Sequence, residues 1–156
     1  MRTVKALALC LLAVLAGSCE WAAPARGTGH REIAEAVRSL LDEAYAGADY
    51  ARYHQALQEV EAVAARNLPE TPHTLRAAVE RMLGYLQTAD EVLRWRSEGG
   101  PGADTGPVAA WTERYPVLRA AAPENGGGFD AGTALMLLWD AADRELRDLQ
   151  IKRGPP

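Results

Sequence analysis

Apolar residues recur with helical spacing in five stretches of the chain, and nowhere do they alternate with polar residues in the manner of a strand. From Arg31 to Tyr45 they fall at Ile33, Val37, Leu40, Leu41, Ala44 and Tyr45, one buried helical face, after which Gly47 offers a left-handed stop. Asp49 is placed to cap a second helix with inner positions Tyr53, Leu57, Val60 and Ala64, and Asn67-Leu68-Pro69 ends it. So short a connection makes these two helices antiparallel neighbours. Thr71-Pro72 reads as the start of a third, with a hydroxyl to cap it and proline at its first position. This helix carries Leu75, Val79, Met82, Leu86, Ala89 and Leu93 on a heptad seam and runs to about Arg96. At 1.5 Å per residue it is a rod of roughly 37 Å and sets the length of the bundle.

Ser97 to Gly106 holds four glycines and one proline and reads as a loop. Val108, Trp111, Tyr115 and Leu118 then suggest a short helix, kinked or split because Pro116 disfavours helical geometry at Tyr115. Pro123 to Gly128 is a second loop. A last helix starts near Asp130 and aligns Leu135, Leu138, Ala142, Leu146 and Leu149, with Met136 and Trp139 widening its apolar arc. Asp140 with Arg144 and Asp143 with Arg147 support its outer face. The expected fold is all-α: an antiparallel four-helix bundle with an additional short kinked helix, over residues 30–153. Tyr50 to Pro69 has a faint tetratricopeptide-like look, but no repeated unit or WxxLGxxY pattern accompanies it. Gly84, inside the third helix, costs about 1 kcal/mol relative to alanine, which implies close packing by a neighbour or room for a ligand.

Charge narrows the partners. Seventeen basic against 21 acidic groups give −4, and losing Arg2 and Lys5 leaves 15 against 21, or −6. An acidic surface without clustered Lys and Arg argues against a nucleic-acid partner. The two cysteines are Cys10 and Cys19, so the helical region has no pair for a disulfide, a zinc-thiolate site or haem attachment.

The N-terminus carries the most specific signal. Arg2 and Lys5 precede an unbroken run of 11 apolar residues, Ala6 to Ala16, and the small pair Gly17 and Ser18 follows, the order of an export signal. A helix that long covers about 16 Å, half of a hydrocarbon core, and is too short to remain as a span. Leu15-Ala16-Gly17-Ser18-Cys19 resembles the lipobox of bacterial lipoprotein precursors, with Leu15 one place further from the cysteine than usual and Ser18 where Gly or Ala is usual. The resemblance implies that residues 1–18 are a signal peptide and that the Cys19 sulfur receives a diacylglyceryl group; Trp21 to Gly29, mixing Ala, Pro, Gly and Thr without an apolar period, makes 19–29 the lipidated cysteine and a flexible tether. Two or three acyl chains, at about 0.8 kcal/mol per buried CH₂, hold a protein on a bilayer essentially permanently. By the same resemblance, Glu20 in the second mature position, where Asp would signal retention, favours the outer membrane of a two-membrane bacterium, with the domain facing the periplasm. A plain secretory signal cut after Ala23 or Ala25 is the competing reading.

Catalytic chemistry is sparse. Glu70 and His73 have ExxH spacing, but Thr71-Pro72 places Glu70 ahead of the helix, so the two do not share a metal-binding face. His54 with Met82 or Met136 is the pair a b-type haem would need, although Met82 sits where a packing methionine belongs. The serines are Ser18, Ser39 and Ser97, with no GxSxG or SxxK around them. The carboxylates Asp42 with Glu43, Glu59 with Glu61 and Asp90 with Glu91 fall on expected solvated faces, and the glycine runs lack the strand and Lys of a phosphate loop. No catalytic residue, metal site or cofactor is therefore assigned.

Aromatics remain. Tyr45, Tyr50 and Tyr53 cluster near the first turn, and Trp95, Trp111, Tyr115 and Trp139 lie in or near the second half. Core filling is the ordinary use of such residues. A groove built from Arg94, Trp95, Arg96, Trp111 and Tyr115 is the alternative, suited to a peptide, a glycan or a partner protein. The sequence thus leads to a lipid-anchored, non-enzymatic helical protein of the bacterial envelope that binds another envelope protein or the cell-wall polymer. A bundle holding a small ligand, haem or metal is the second reading, and an envelope hydrolase using carboxylates is the third.

Overall fold

A computed structural model describes residues 29–100, 106–122 and 128–151 of the chain. Residues 1–28, which include the expected signal peptide, Cys19 and most of the expected tether, lie outside them. The described residues form helices α1 (Gly29–Tyr45), α2 (Tyr50–Asn67), α3 (His73–Ser97), α4 (Gly106–Arg114), a 3₁₀ helix (Pro116–Ala121) and α5 (Ala131–Ile151), with no strand among them.

The helix ends follow local chemistry. At the end of α1, Gly47 takes φ +89°, a left-handed angle that side chains rarely adopt, and the amides of Gly47 and Ala48 reach back to Ala44 and Glu43 at 3.0 and 3.1 Å. Asp49 caps α2, its carboxylate accepting from the Arg52 amide at 2.9 Å. The start of α3 departs from expectation. The Thr71 hydroxyl turns back and donates to the Asn67 carbonyl at 3.0 Å, satisfying the end of α2, and Pro72 occupies the cap position with no side-chain cap bond. Asp130 caps α5, accepting from the Gly132 and Thr133 amides at 2.9 and 3.3 Å.

The four long helices close a ring in which α1 packs on α2, α2 on α3, α3 on α5 and α5 on α1. Cross-links fix their directions. Asn67 at the end of α2 donates to Glu32 at the start of α1 (3.0 Å); His54 and Glu61 of α2 meet Asp90 and Gln87 of α3 in reverse order. Arg81, early in α3, grips Glu145, late in α5, through two bonds of 2.8 and 2.9 Å. Each neighbour in these pairs is antiparallel, as short loops demand of α1–α2 and α2–α3; α3 and α5 are joined by a longer segment. The inner face of α2 is Tyr53, Leu57, Val60 and Ala64, and the α3 seam is buried from Val79 to Leu93, with Leu75 only partly covered. On the outer face of α5, Arg147 pairs with Asp143, whereas the Asp140 carboxylate is taken by Tyr45 and Arg144 instead donates to the Asp140 carbonyl at 3.2 Å.

The described part of the segment between α3 and α5 ends beside the end of α3, where Phe129 meets Trp95. It runs back along α3 through α4, breaks at Tyr115, which is extended (φ −127°, ψ 92°) ahead of Pro116, and comes back as the 3₁₀ helix against α5. Gly84 explains itself here: a Cβ at that position would stand 2.7 Å from the Tyr115 hydroxyl, so the glycine makes room for the chain's own ring.

Candidate functional site

One end of the bundle carries an open surface cleft. Where the α1–α2 turn meets the end of α3 and the start of α5, an open cleft of about 570 Å³ is lined by Tyr45, Tyr50, Leu93, Arg96, Leu135 and Trp139, with the Gly47–Asp49 turn as its rim. Sites for small ligands typically fall at about 300–1,000 Å³.

Its aromatic walls are held from behind. The Tyr45 hydroxyl donates to Asp140 Oδ1 at 2.9 Å, and the ring meets Trp139 edge to face at 5.8 Å, which fixes its angle while 45% of the residue stays exposed. Tyr50 lies against the His54 imidazole with ring centres 5.5 Å apart. His54 is itself set by Asp90, whose two carboxylate oxygens lie 3.0 and 3.1 Å from Nδ1, and by the Gln58 amide nitrogen 3.0 Å from Nε2. Both ring nitrogens are thus engaged, which fixes the plane of the imidazole. Tyr53 backs Trp139 at 6.1 Å and donates to the Leu86 carbonyl at 3.1 Å. The Trp139 indole N–H is buried beside the Tyr53 hydroxyl without hydrogen-bond geometry to it.

Electrostatics at the cleft are mixed. Arg96 is exposed at its edge, and its guanidinium forms no hydrogen bond or ion pair among the described residues. Asp130 feels its charge, although the Thr133 hydroxyl is the main cause that holds the Asp130 carboxyl below its ordinary range. Burial, then the bond to Asp140, pushes the Tyr45 phenol up to about 12, and burial raises Tyr53 in the same direction. A raised phenol means that folding favours the neutral form, so this contribution is complete below the ordinary value of 10 and lost as pH climbs toward 12. Thermal melts between pH 9 and 12 are expected to hold to about pH 10 and then fall. A Tyr45→Phe, Tyr53→Phe double variant, which has neither phenol to ionise, should lose less over the same interval.

Of the five residues that the sequence offered as a groove, only Arg96 lines this cleft. Trp95 and Trp111 do come together, edge to face at 6.0 Å, but they are 7% and 4% exposed and enclose Phe129 at 5.9 Å from each. Trp111 also donates to Glu91 at 2.6 Å. Tyr115 is partly buried over Gly84, 5.0 Å from Tyr85, and Arg94 is exposed. Tyr45, Tyr50 and Trp139 form the concave surface instead. The cluster of tyrosines about the first turn was the available signal for it; that Trp139 joins them depends on α5 returning beside α1.

Other candidates disperse. Met82 is fully buried among apolar side chains, while His54 faces Asp90 on the α2–α3 surface. Glu70 and His73 are both exposed at the α2–α3 turn, and Glu91 is engaged by Trp111. Among the described residues no group of three or more His, Cys, Asp or Glu side chains is placed to hold a metal, and no helix is long and apolar enough to cross a membrane. Comparison of the chain with protein-family models, curated proteins and solved structures finds no match in any of the three.

Proposed function

We propose that this protein is a non-enzymatic binding module of the bacterial envelope, tethered to a membrane through lipid on Cys19, with the cleft between the α1–α2 turn and α5 as its binding face. The observation that carries the binding half is the cleft itself: tyrosine rings oriented by Asp140 and by the Asp90–His54 pair before anything binds. Such preorganisation lowers the entropy lost on association. The anchoring half rests on the sequence from Leu15 to Cys19 and its likeness to a lipobox.

Two measurements test the halves separately. The intact mass of the native N-terminus is expected to show a chain beginning at acylated Cys19; a chain beginning beyond it removes the anchor. A photo-crosslinking residue at position 45 in the full chain, expressed in its own envelope, is expected to give adducts that the same residue at exposed Glu59 on α2 does not. Equal labelling from both positions would remove the cleft as the binding face.

A further inference from the structure

The cleft lies at the end of the bundle opposite to the tether. Gly29 opens α1, and its 17 residues at 1.5 Å each carry Tyr45 about 25 Å from that point. With the chain held through Cys19, the cleft lies at the end of the bundle far from the point of attachment.

Its walls state what kind of group fits. A sugar ring has one face of C–H bonds that stacks on an aromatic ring, and an edge of hydroxyl and amide groups that needs polar partners. Tyr45 and Tyr50 supply flat rings at fixed angles, and the Gly47–Asp49 turn that joins their helices also lines the cleft. Arg96, whose charge also acts on Asp130, adds a planar guanidinium that forms no hydrogen bond or ion pair among the described residues, the donor fork that suits a carboxylate. A folded protein partner covers about 800 Å² of surface around a desolvated apolar centre. Among the described residues the exposed large apolar side chains are only Tyr45 and Met136, too little for such a centre.

We propose that the cleft binds a carboxylate-bearing glycan of the cell wall, with sugar rings stacked on Tyr45 and Tyr50 and a carboxylate on Arg96. The proposal rests on the binding-module reading above and names the chemistry of its ligand. The full mature chain in detergent micelles, mixed with purified insoluble cell-wall sacculi and centrifuged, is the test. Wild type is expected to sediment with the sacculi. Arg96→Gln, at an exposed position that does not threaten the fold, should weaken binding about tenfold, the loss of one charge-assisted contact. Tyr50→Ala should weaken it comparably and Tyr50→Phe should restore it, while Arg38→Gln, exposed elsewhere on α1, should leave it unchanged. Failure of wild type to sediment, or sedimentation of Arg96→Gln and Tyr50→Ala to the same extent as wild type, overturns the proposal. If wild type fails while position 45 crosslinks to a protein, the glycan is excluded and the binding-module reading survives.

Discussion

Replacing Trp111 with alanine is expected to lower the unfolding free energy by about 3–5 kcal/mol, the range for truncating a buried tryptophan. Trp111 is 4% exposed and is the buried side chain of α4, the only one among its described residues. It closes a three-ring cluster with Trp95 and Phe129, from the end of α3 and the start of α5, so its loss opens a cavity that three separate segments line. It also leaves the Glu91 carboxylate, which it holds at 2.6 Å, without that donor. Trp111→Phe keeps most of the ring and loses the N–H, and should fall between wild type and alanine. Chemical denaturation of the three proteins decides the matter. A Trp111→Ala variant as stable as wild type would mean that the ring belongs to a surface and not to the core.

The same residue marks where sequence reading succeeds and where it stops. Helix α2 was readable to its inner face because Tyr53, Leu57, Val60 and Ala64 obey a local period, and Asp49 and Gly47 act through backbone groups a few residues away. Pro116 likewise announces a break that needs only its own ring and Tyr115. Thr71 misled because its hydroxyl had two local uses, capping α3 or closing α2, and the geometry of the turn selects the second. Trp95 beside Arg94 and Arg96 suggested a surface, yet on a helix adjacent residues point in different directions, so two exposed arginines and a buried tryptophan are compatible. What decides exposure there is the segment between α3 and α5 folding back over α3, a contact among residues far apart in the chain. The cleft was hidden for the same reason: Tyr45, Tyr50 and Trp139 become one surface only when α5 closes the ring.

Met82 allows packing and ligand roles to be separated by a pair of substitutions. It is fully buried at the middle of the α3 seam, between Val79 and Leu86, which are themselves fully buried. Met82→Ala is expected to cost about 2–5 kcal/mol, the removed side chain plus the cavity it leaves. Met82→Leu conserves volume and apolar character and should cost less than about 1.5 kcal/mol. An iron-ligating thioether would behave differently, since leucine offers no sulfur and both substitutions would then abolish the same spectral band and the same increment of stability. The geometry gives Met82 no such role, because His54, the histidine that would complete an axial pair, directs Nδ1 to Asp90 and Nε2 to Gln58 on the outer side of the α2–α3 contact. Denaturation midpoints that rank wild type near Met82→Leu and well above Met82→Ala, with unchanged absorbance, are therefore the expected result. Equal loss in both variants would place a ligand in the core and move the search for function from the end of the bundle to its centre.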